Sequence, residues 1–162
     1  MFPSRAVGLL SLALAGTARA ALETAISVNL AGPDVLYDPQ EAWFTELSTS
    51  CGTPTRYTTQ VNASISFTFS GSRLQISGIG DKTSGKVALL VDNLEAHVYD
   101  LYSTSVTCEM IADYYFSEGE HNATLMLLGR SDNVNASHTG FPLFYLTELV
   151  YAAFLFPHAT LF

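Results

Sequence analysis

Residues 62–70 read NASISFTFS. Ala63, Ile65, Phe67 and Phe69 alternate with Asn62, Ser64, Ser66, Thr68 and Ser70. A side-chain period of two belongs to a β-strand, where successive residues point to opposite faces. One face of this strand must be buried and the other wet. A slip of one residue would exchange the two faces, so the register is tightly specified. A helix would scatter the four apolar residues around its circumference. This stretch therefore commits the chain to β-structure.

The same grammar recurs on both sides. Gly71-Ser72 is predicted to turn the chain into SRLQISGIG, with Leu74 and Ile76 inward. GKVALLVDN, residues 85–93, is apolar on both faces and suits an interior strand covered on both sides. Asp92-Asn93 can turn the chain into EAHVYDLYS, because Asn tolerates positive φ. Further strands are expected across 110–116, 120–128 and 143–154, with Gly119 as a turn. Upstream, 25–30 reads as an edge strand, and 34–44 as a loop carrying Tyr37 and Trp43. Seven or eight short strands with turns between them predict an all-β antiparallel β-sandwich of jelly-roll type, most regular over 57–154.

The chain starts MFPSR, continues AVGLLSLALAG and ends this segment with TARA. A basic start, a short apolar run and the small-x-small Ala18-Arg19-Ala20 read as a secretory signal peptide, residues 1–20. The apolar run is short of the roughly 20 residues that span a bilayer. The sandwich domain is then 21–162, and the expected location is extracellular. Losing Arg5 and Arg19 leaves five basic residues against fifteen acidic ones. That balance argues against nucleic acid and against anionic membrane surfaces as partners. The apolar C-terminal stretch 143–162 could suggest a membrane segment. Glu148 in its middle and Pro157-His158 near its end favour a final core strand instead.

Cys51 and Cys108 are the two cysteines. In an oxidising compartment they are expected to form one disulfide. Asn62, Asn122 and Asn135 each begin an Asn-Ala-Ser/Thr sequon, so each is an expected surface glycosylation position.

Chemistry-bearing motifs are sparse. GDKTSGKV, residues 80–87, has the spacing of a phosphate-binding loop. Val87 stands where a magnesium-binding Ser or Thr belongs, and VALLV opens a strand rather than a helix. It reads as a polar turn, and no nucleotide is expected. No Gly-x-Ser-x-Gly elbow and no zinc spacing among His97, His121, His138 and His158 can be written. Asp34 and Asp38 could contribute to a calcium site, but read more simply as solvated loop carboxylates. No cofactor or metal is expected. In FSEGEHNATLMLLG, residues 116–129, Glu118, Glu120 and His121 look like an acid/base set. Strand alternation instead turns His121 inward and leaves Glu120 and Asn122 outward, so the three should not converge.

Aromatic residues are plentiful: one Trp, eight Tyr and ten Phe. Aromatic faces can pack on the apolar faces of sugar rings, with polar groups nearby fixing orientation. Trp43 and Tyr37 are the first candidates for a ligand site, with Tyr57, Tyr99, Tyr102 and Tyr114 behind them. Core or strand-pair packing is the competing role for each.

Taken in order, NASISFTFSGSRLQISGIG, GKVALLVDN, SEGEHNATLMLL and FYLTELVY resemble fungal secreted and membrane-anchored surface proteins. In those, a phrase like GASVSFTFTGTSVSVYG is followed by VSLDG, LPDGEHTLTV and LDYIEY. LYDPQEAWF is similar to the family's short aromatic-containing lead-in. The likeness runs from about Tyr57 to Tyr151 and falls on packing and turn positions: Phe67, Phe69, Gly71, Val91, Gly119, His121, Leu125, Leu146 and Tyr151. Thr147 departs from the aspartate of LDYIEY. Many members continue into a Ser/Thr-rich linker and a membrane helix, whereas this sequence stops soon after its last strand, as a free secreted domain or a truncated product would. The resemblance implies a galactose-binding-like jelly roll, related in architecture to carbohydrate-binding modules, and supplies no catalytic set.

The sequence therefore leads to a non-catalytic, secreted sandwich that binds carbohydrate at a cell wall or outside the cell. Two alternatives stand beside it: a structural or protein-interaction ectodomain, and a small secreted hydrolase using carboxylates such as Glu118 and Glu120.

Overall fold

The computed structural model describes residues 22–48, 51–94, 96–133 and 142–155. The signal segment, the expected start at Ala21, and the Asn135 sequon lie outside them. Among the described residues there are nine strands: β1 (Leu22–Ser27), β2 (Val35–Asp38), β3 (Trp43–Leu47), β4 (Pro54–Thr58), β5 (Ser64–Gly80), β6 (Gly85–Val91), β7 (His97–Asp100), β8 (Thr107–Arg130) and β9 (Phe144–Leu155). One 3-10 turn, Gln40–Ala42, separates β2 from β3.

Every strand pairing is antiparallel. The hydrogen-bonded order is β3-β4-β9-β5-β8-β6-β7, with β1 added to β9 and β2 to β5. This continuous network folds over on itself because β5 and β8 belong to both layers of a sandwich. The first half of β5 lies between β2 and the second half of β8. The second half of β5 lies between β9 and the first half of β8. Strands β6 and β7 extend the first layer, and β4 and β3 extend the second.

The core forms where the two layers face each other. Ala63, Ile65, Phe67 and Phe69 are all buried, as the alternation requires, while Thr68 and Ser70 are exposed. Leu74 and Ile76 continue the inward row, with Val87, Leu89, Leu125 and Leu127 beside it and Phe144, Leu146 and Leu149 also in the cluster. The outward face of the first layer is knitted by polar pairs. Ser66 Oγ and Thr124 Oγ1 are 2.9 Å apart, and Thr68 Oγ1 donates to Asn122 Oδ1 at 2.8 Å.

Three local expectations are corrected. Gly71-Ser72 is not a turn: β5 runs through it, with a register shift between Gly71 and Arg73. Gly119 is not a turn either. It pairs with Gly71, and β8 continues as one strand from Thr107 to Arg130. The two glycines face each other where both long strands pass from one layer to the other. A Cβ on Gly71 would lie 2.1 Å from the Ala152 carbonyl oxygen, so the end of β9 closes on bare backbone. The segment 34–44 is not a plain loop, because β2, the 3-10 turn and the start of β3 occupy it. Its short polar-apolar mix hid pairing that β5 and β4 supply from elsewhere in the chain.

Two turns carry out the chemistry read for them. Asp92 and Asn93 have φ of 53° and 58°, the left-handed region that Asn and Asp tolerate. In GDKTSGKV, Asp81 Oδ1 accepts from Thr83 N at 2.7 Å and from Ser84 N at 2.8 Å, and also from both hydroxyls. The apparent phosphate loop is a carboxylate-closed turn between β5 and β6. Cys51 and Cys108 are bonded, tying the β3–β4 connection to the start of β8 across a separation of 57 residues.

Gly71→Ala should cost about 1–3 kcal/mol of unfolding free energy, the usual range for forcing atoms into a packed site. Chemical denaturation reads the midpoint. An unchanged midpoint would show that β9 does not close on Gly71. Removing the disulfide by Cys51→Ser with Cys108→Ser should cost a further ~2–4 kcal/mol by loop entropy.

Candidate functional site

Tyr37, on β2, and Trp43, at the start of β3, come together with Arg56 of β4. The rings of Tyr37 and Trp43 meet edge-on, centroids 5.3 Å apart, and Trp43 meets Phe144 of the core at 6.0 Å. Tyr37 is fixed at its far end, where its hydroxyl donates to the Leu30 carbonyl at 2.5 Å. The Arg56 guanidinium lies 5.4 Å over the Tyr37 ring, within cation–π range. Burial raises the Tyr37 phenol above its ordinary range, although Arg56 pulls it back down. A rigid row of groups thus leads from the core to a half-buried cation.

These residues line a cavity of about 410 Å³ together with Gln40, Val35 and Leu36. That is within the range of small-ligand sites, and its lining combines aromatic and aliphatic residues with the polar ends of Gln40 and Arg56. A second, larger cleft of about 640 Å³ shares the Ala31 and Arg56 walls. Its lining is mostly apolar but includes Asn29, Thr55, Ser77, Glu109 and Glu148, with the disulfide at one side.

The six aromatic candidates do not form one site. Tyr37 and Trp43 converge. Tyr57 is the middle ring of a cross-strand ladder, Phe44–Tyr57–Tyr145, with both spacings 5.5 Å. Its two faces are taken by neighbours, which leaves little ring face for a ligand. The Tyr99 hydroxyl is hydrogen-bonded to that of Tyr114, which stacks on His97. Tyr102 bridges to Asp81 beside the β5–β6 turn.

Trp43 also differs from its expected role. It is only 7% exposed and belongs to the core cluster. Its indole Nε1 is enclosed and has no hydrogen-bond partner among the described residues. Trp43→Ala would cost about 3–5 kcal/mol, as large-to-small core changes do. It therefore cannot be a probe of binding that leaves folding unchanged. Arg56 and Gln40, which did not stand out in the sequence, are the polar side chains that line the cavity beside the two aromatics. Arg56 sits in PTRYT, which shows only that a strand carries one basic residue. Its position over Tyr37 comes from the β3–β4–β9 pairing.

His121 is buried at the bend of β8, while Glu118 and Glu120 are exposed. The three do not converge. His121 Nδ1 lies 2.6 Å from Asp92 Oδ2 and Nε2 lies 2.9 Å from the Ser117 carbonyl oxygen. Both neighbours are acceptors, so the geometry favours the doubly protonated imidazolium. The rings of Phe69 and Phe116 flank the imidazole at 5.2 and 5.1 Å. Burial disfavours its charge, but Asp92 and the Ser117 carbonyl outweigh burial and raise its pKa above 6.5. The hydrogen bond from His121, with one from the Asn122 amide, holds Asp92 below the ordinary carboxylate value of 3.8. This is a strut for the Asp92-Asn93 turn. Asn62 and Asn122 are both exposed, as their sequons require. Asp34 and Asp38 are exposed, and no group of three or more metal-ligating side chains occurs among the described residues.

Solved structures share this fold. A two-domain esterase active on acetylated mannans superposes with a TM-score of 0.58 at 13% identity, over 82% of this chain and 37% of that one. The same description, co-crystallised with mannopentaose, gives 0.56 at 13% identity, covering 83% and 38%. A family two carbohydrate esterase from Cellvibrio japonicus gives 0.55 at 14%, covering 83% and 36%. The chain thus spans little more than a third of each esterase. At these identities the likeness establishes the all-β jelly-roll fold. No protein-family model matches the sequence, and no curated protein matches it.

The His121–Asp92 pair sets a pH dependence. A raised histidine pKa gives stability that is complete below about pH 6.5 and lost as pH rises through the folded value. A lowered aspartate pKa gives stability that is present above about pH 4 and lost as pH falls through its folded value. Thermal melts should therefore peak near pH 5–6 and decline through neutrality. Asp92→Asn, which still tolerates positive φ, should lower the peak and flatten the decline. A wild-type melting temperature that rises from pH 6 to 8 would contradict this assignment.

Proposed function

We propose that this protein is a secreted, non-catalytic β-sandwich that binds carbohydrate through the Tyr37–Trp43–Arg56 cavity. The observation that carries the reading is the convergence of a fixed aromatic wall, Gln40 and an Arg in one small cavity. Sugar recognition needs that combination: apolar surface for ring C–H groups and oriented polar groups for hydroxyls. The fold likeness is an analogy that adds weight, since the matched structures are carbohydrate esterases, one of them holding mannopentaose. The signal-like start and three sequons support secretion, with glycans at Asn62, Asn122 and Asn135. The resemblance to fungal surface proteins supports a cell-wall setting. The non-catalytic reading is supported by His121, whose two nitrogens are both committed to structural partners.

A protein-interaction ectodomain is the second reading. The first half of β8 pairs only with β5 among the described strands, so its other edge is open to strand addition. Val106, just before it, and Met110 along it are 54% and 52% exposed.

A glycan array with purified glycosylated protein separates the two. Binding to at least one cell-wall glycan is expected. Gln40→Ala should weaken it about 5- to 10-fold, the effect of losing one hydrogen bond, with an unchanged melting temperature. Tyr115→Ala, on β8 away from the cavity lining, should leave affinity alone. An array blank at high protein concentration would remove the carbohydrate reading.

A further inference from the structure

Arg56 differs from two other cations of the fold. Arg73 is paired with Asp113 at 2.7 Å and Lys86 with Asp132 at 2.8 Å. Among the described residues no carboxylate lies within ion-pair distance of Arg56, which is held by the Tyr37 ring instead. The smaller cavity that it lines contains no acidic residue. The charge sits half-buried between two cavities in a chain with fifteen acidic residues against seven basic ones. A partly desolvated guanidinium favours a compensating anion, and its planar fork matches a carboxylate with two parallel hydrogen bonds. Gln40 can add a further donor beside it.

The adjoining cleft has the opposite character. Glu109 and Glu148 line it with Asn29 and Ser77, groups that suit sugar hydroxyls and repel further carboxylates. The acidic balance of the whole chain opposes polyanions as well.

Resting on the carbohydrate reading above, we propose that the site selects a glycan carrying an isolated uronic-acid residue on an otherwise neutral chain. The uronate carboxylate docks on Arg56 in the smaller cavity, and neutral neighbours extend into the cleft lined by Glu109 and Glu148. Proton and bond counts do not change, since this is binding alone.

The test is calorimetric titration of the full glycosylated protein with matched pairs. Each pair is a neutral oligosaccharide (xylan-, mannan- or galactan-type) and the same oligosaccharide bearing one glucuronic acid. An oligogalacturonate is the polyanionic probe. The acidic member of at least one pair should bind about 10- to 100-fold more tightly, as a charged hydrogen-bond pair provides. That advantage should shrink in high salt. Arg56→Gln should bring the two members within about threefold, and Arg56→Lys, which keeps the charge but loses the fork, should fall between. Melting temperatures check that both variants are folded. Equal binding of both members in every pair overturns this inference while the carbohydrate reading stands. Tightest binding of the oligogalacturonate overturns it too. No binding of any neutral or acidic member overturns the carbohydrate reading itself, and this inference with it.

Discussion

Strands β5 and β8 run antiparallel along nearly the whole of β5, and both layers of the sandwich hang on that one ladder. It joins Ser64–Met126 at one end to Gly80–Thr107 at the other. Every other strand except β7, β3, β4 and β1 pairs directly with β5 or β8, and those four are held through β6 or β9. Paired backbone polar groups are what make a buried strand affordable, because an unpaired one inside a core costs free energy. The alternation in NASISFTFS then decides which side of the ladder becomes core. The bend at Gly71 and Gly119 turns a single long ribbon into two facing layers.

The bend also explains the histidine. A strand that passes from one layer to the other leaves a gap at the rim, between Phe69 and Phe116. His121 fills it with a ring that is flat, like its neighbours, yet can bond the Asp92 turn and the Ser117 carbonyl. Its conspicuous place between two glutamates is an accident of strand phase. The candidate site lies at the other end of the same logic. Phe144, Trp43, Tyr37 and Arg56 form a continuous row from fully buried to half-buried. Each member is fixed by the one behind it, so the cation at its end is placed by the core.

Periodicity made the fold class legible, along with the buried faces of β5, β6 and the second half of β8. Those strands have one wet and one dry face, or two dry ones, and the chain records this residue by residue. The 34–44 segment was not legible, since β2 has four residues and its partner lies across the β5 pairing. Gly71 misled for a related reason: glycine marks a turn and a close backbone approach alike, and only the Ala152 backbone distinguishes them. Gly119 misled because its pairing partner, Gly71, lies on another strand. At the site, Tyr37 and Trp43 stood out as aromatics in an irregular stretch. Arg56 did not, because its importance is a tertiary fact, a cation over a ring from another strand.

Trp43 is the only tryptophan in the chain, and it forms one wall of the proposed binding cavity. A single indole N–H makes Trp43 a one-copy NMR reporter of that cavity. Following that resonance while a glycan found to bind is titrated in tests the central claim most directly. The account predicts that it shifts progressively and saturates with the calorimetric affinity, together with the amides of the non-proline residues in 31–40 and 55–58. Saturable binding that leaves the indole resonance unmoved, with shifts confined to another surface, would contradict it.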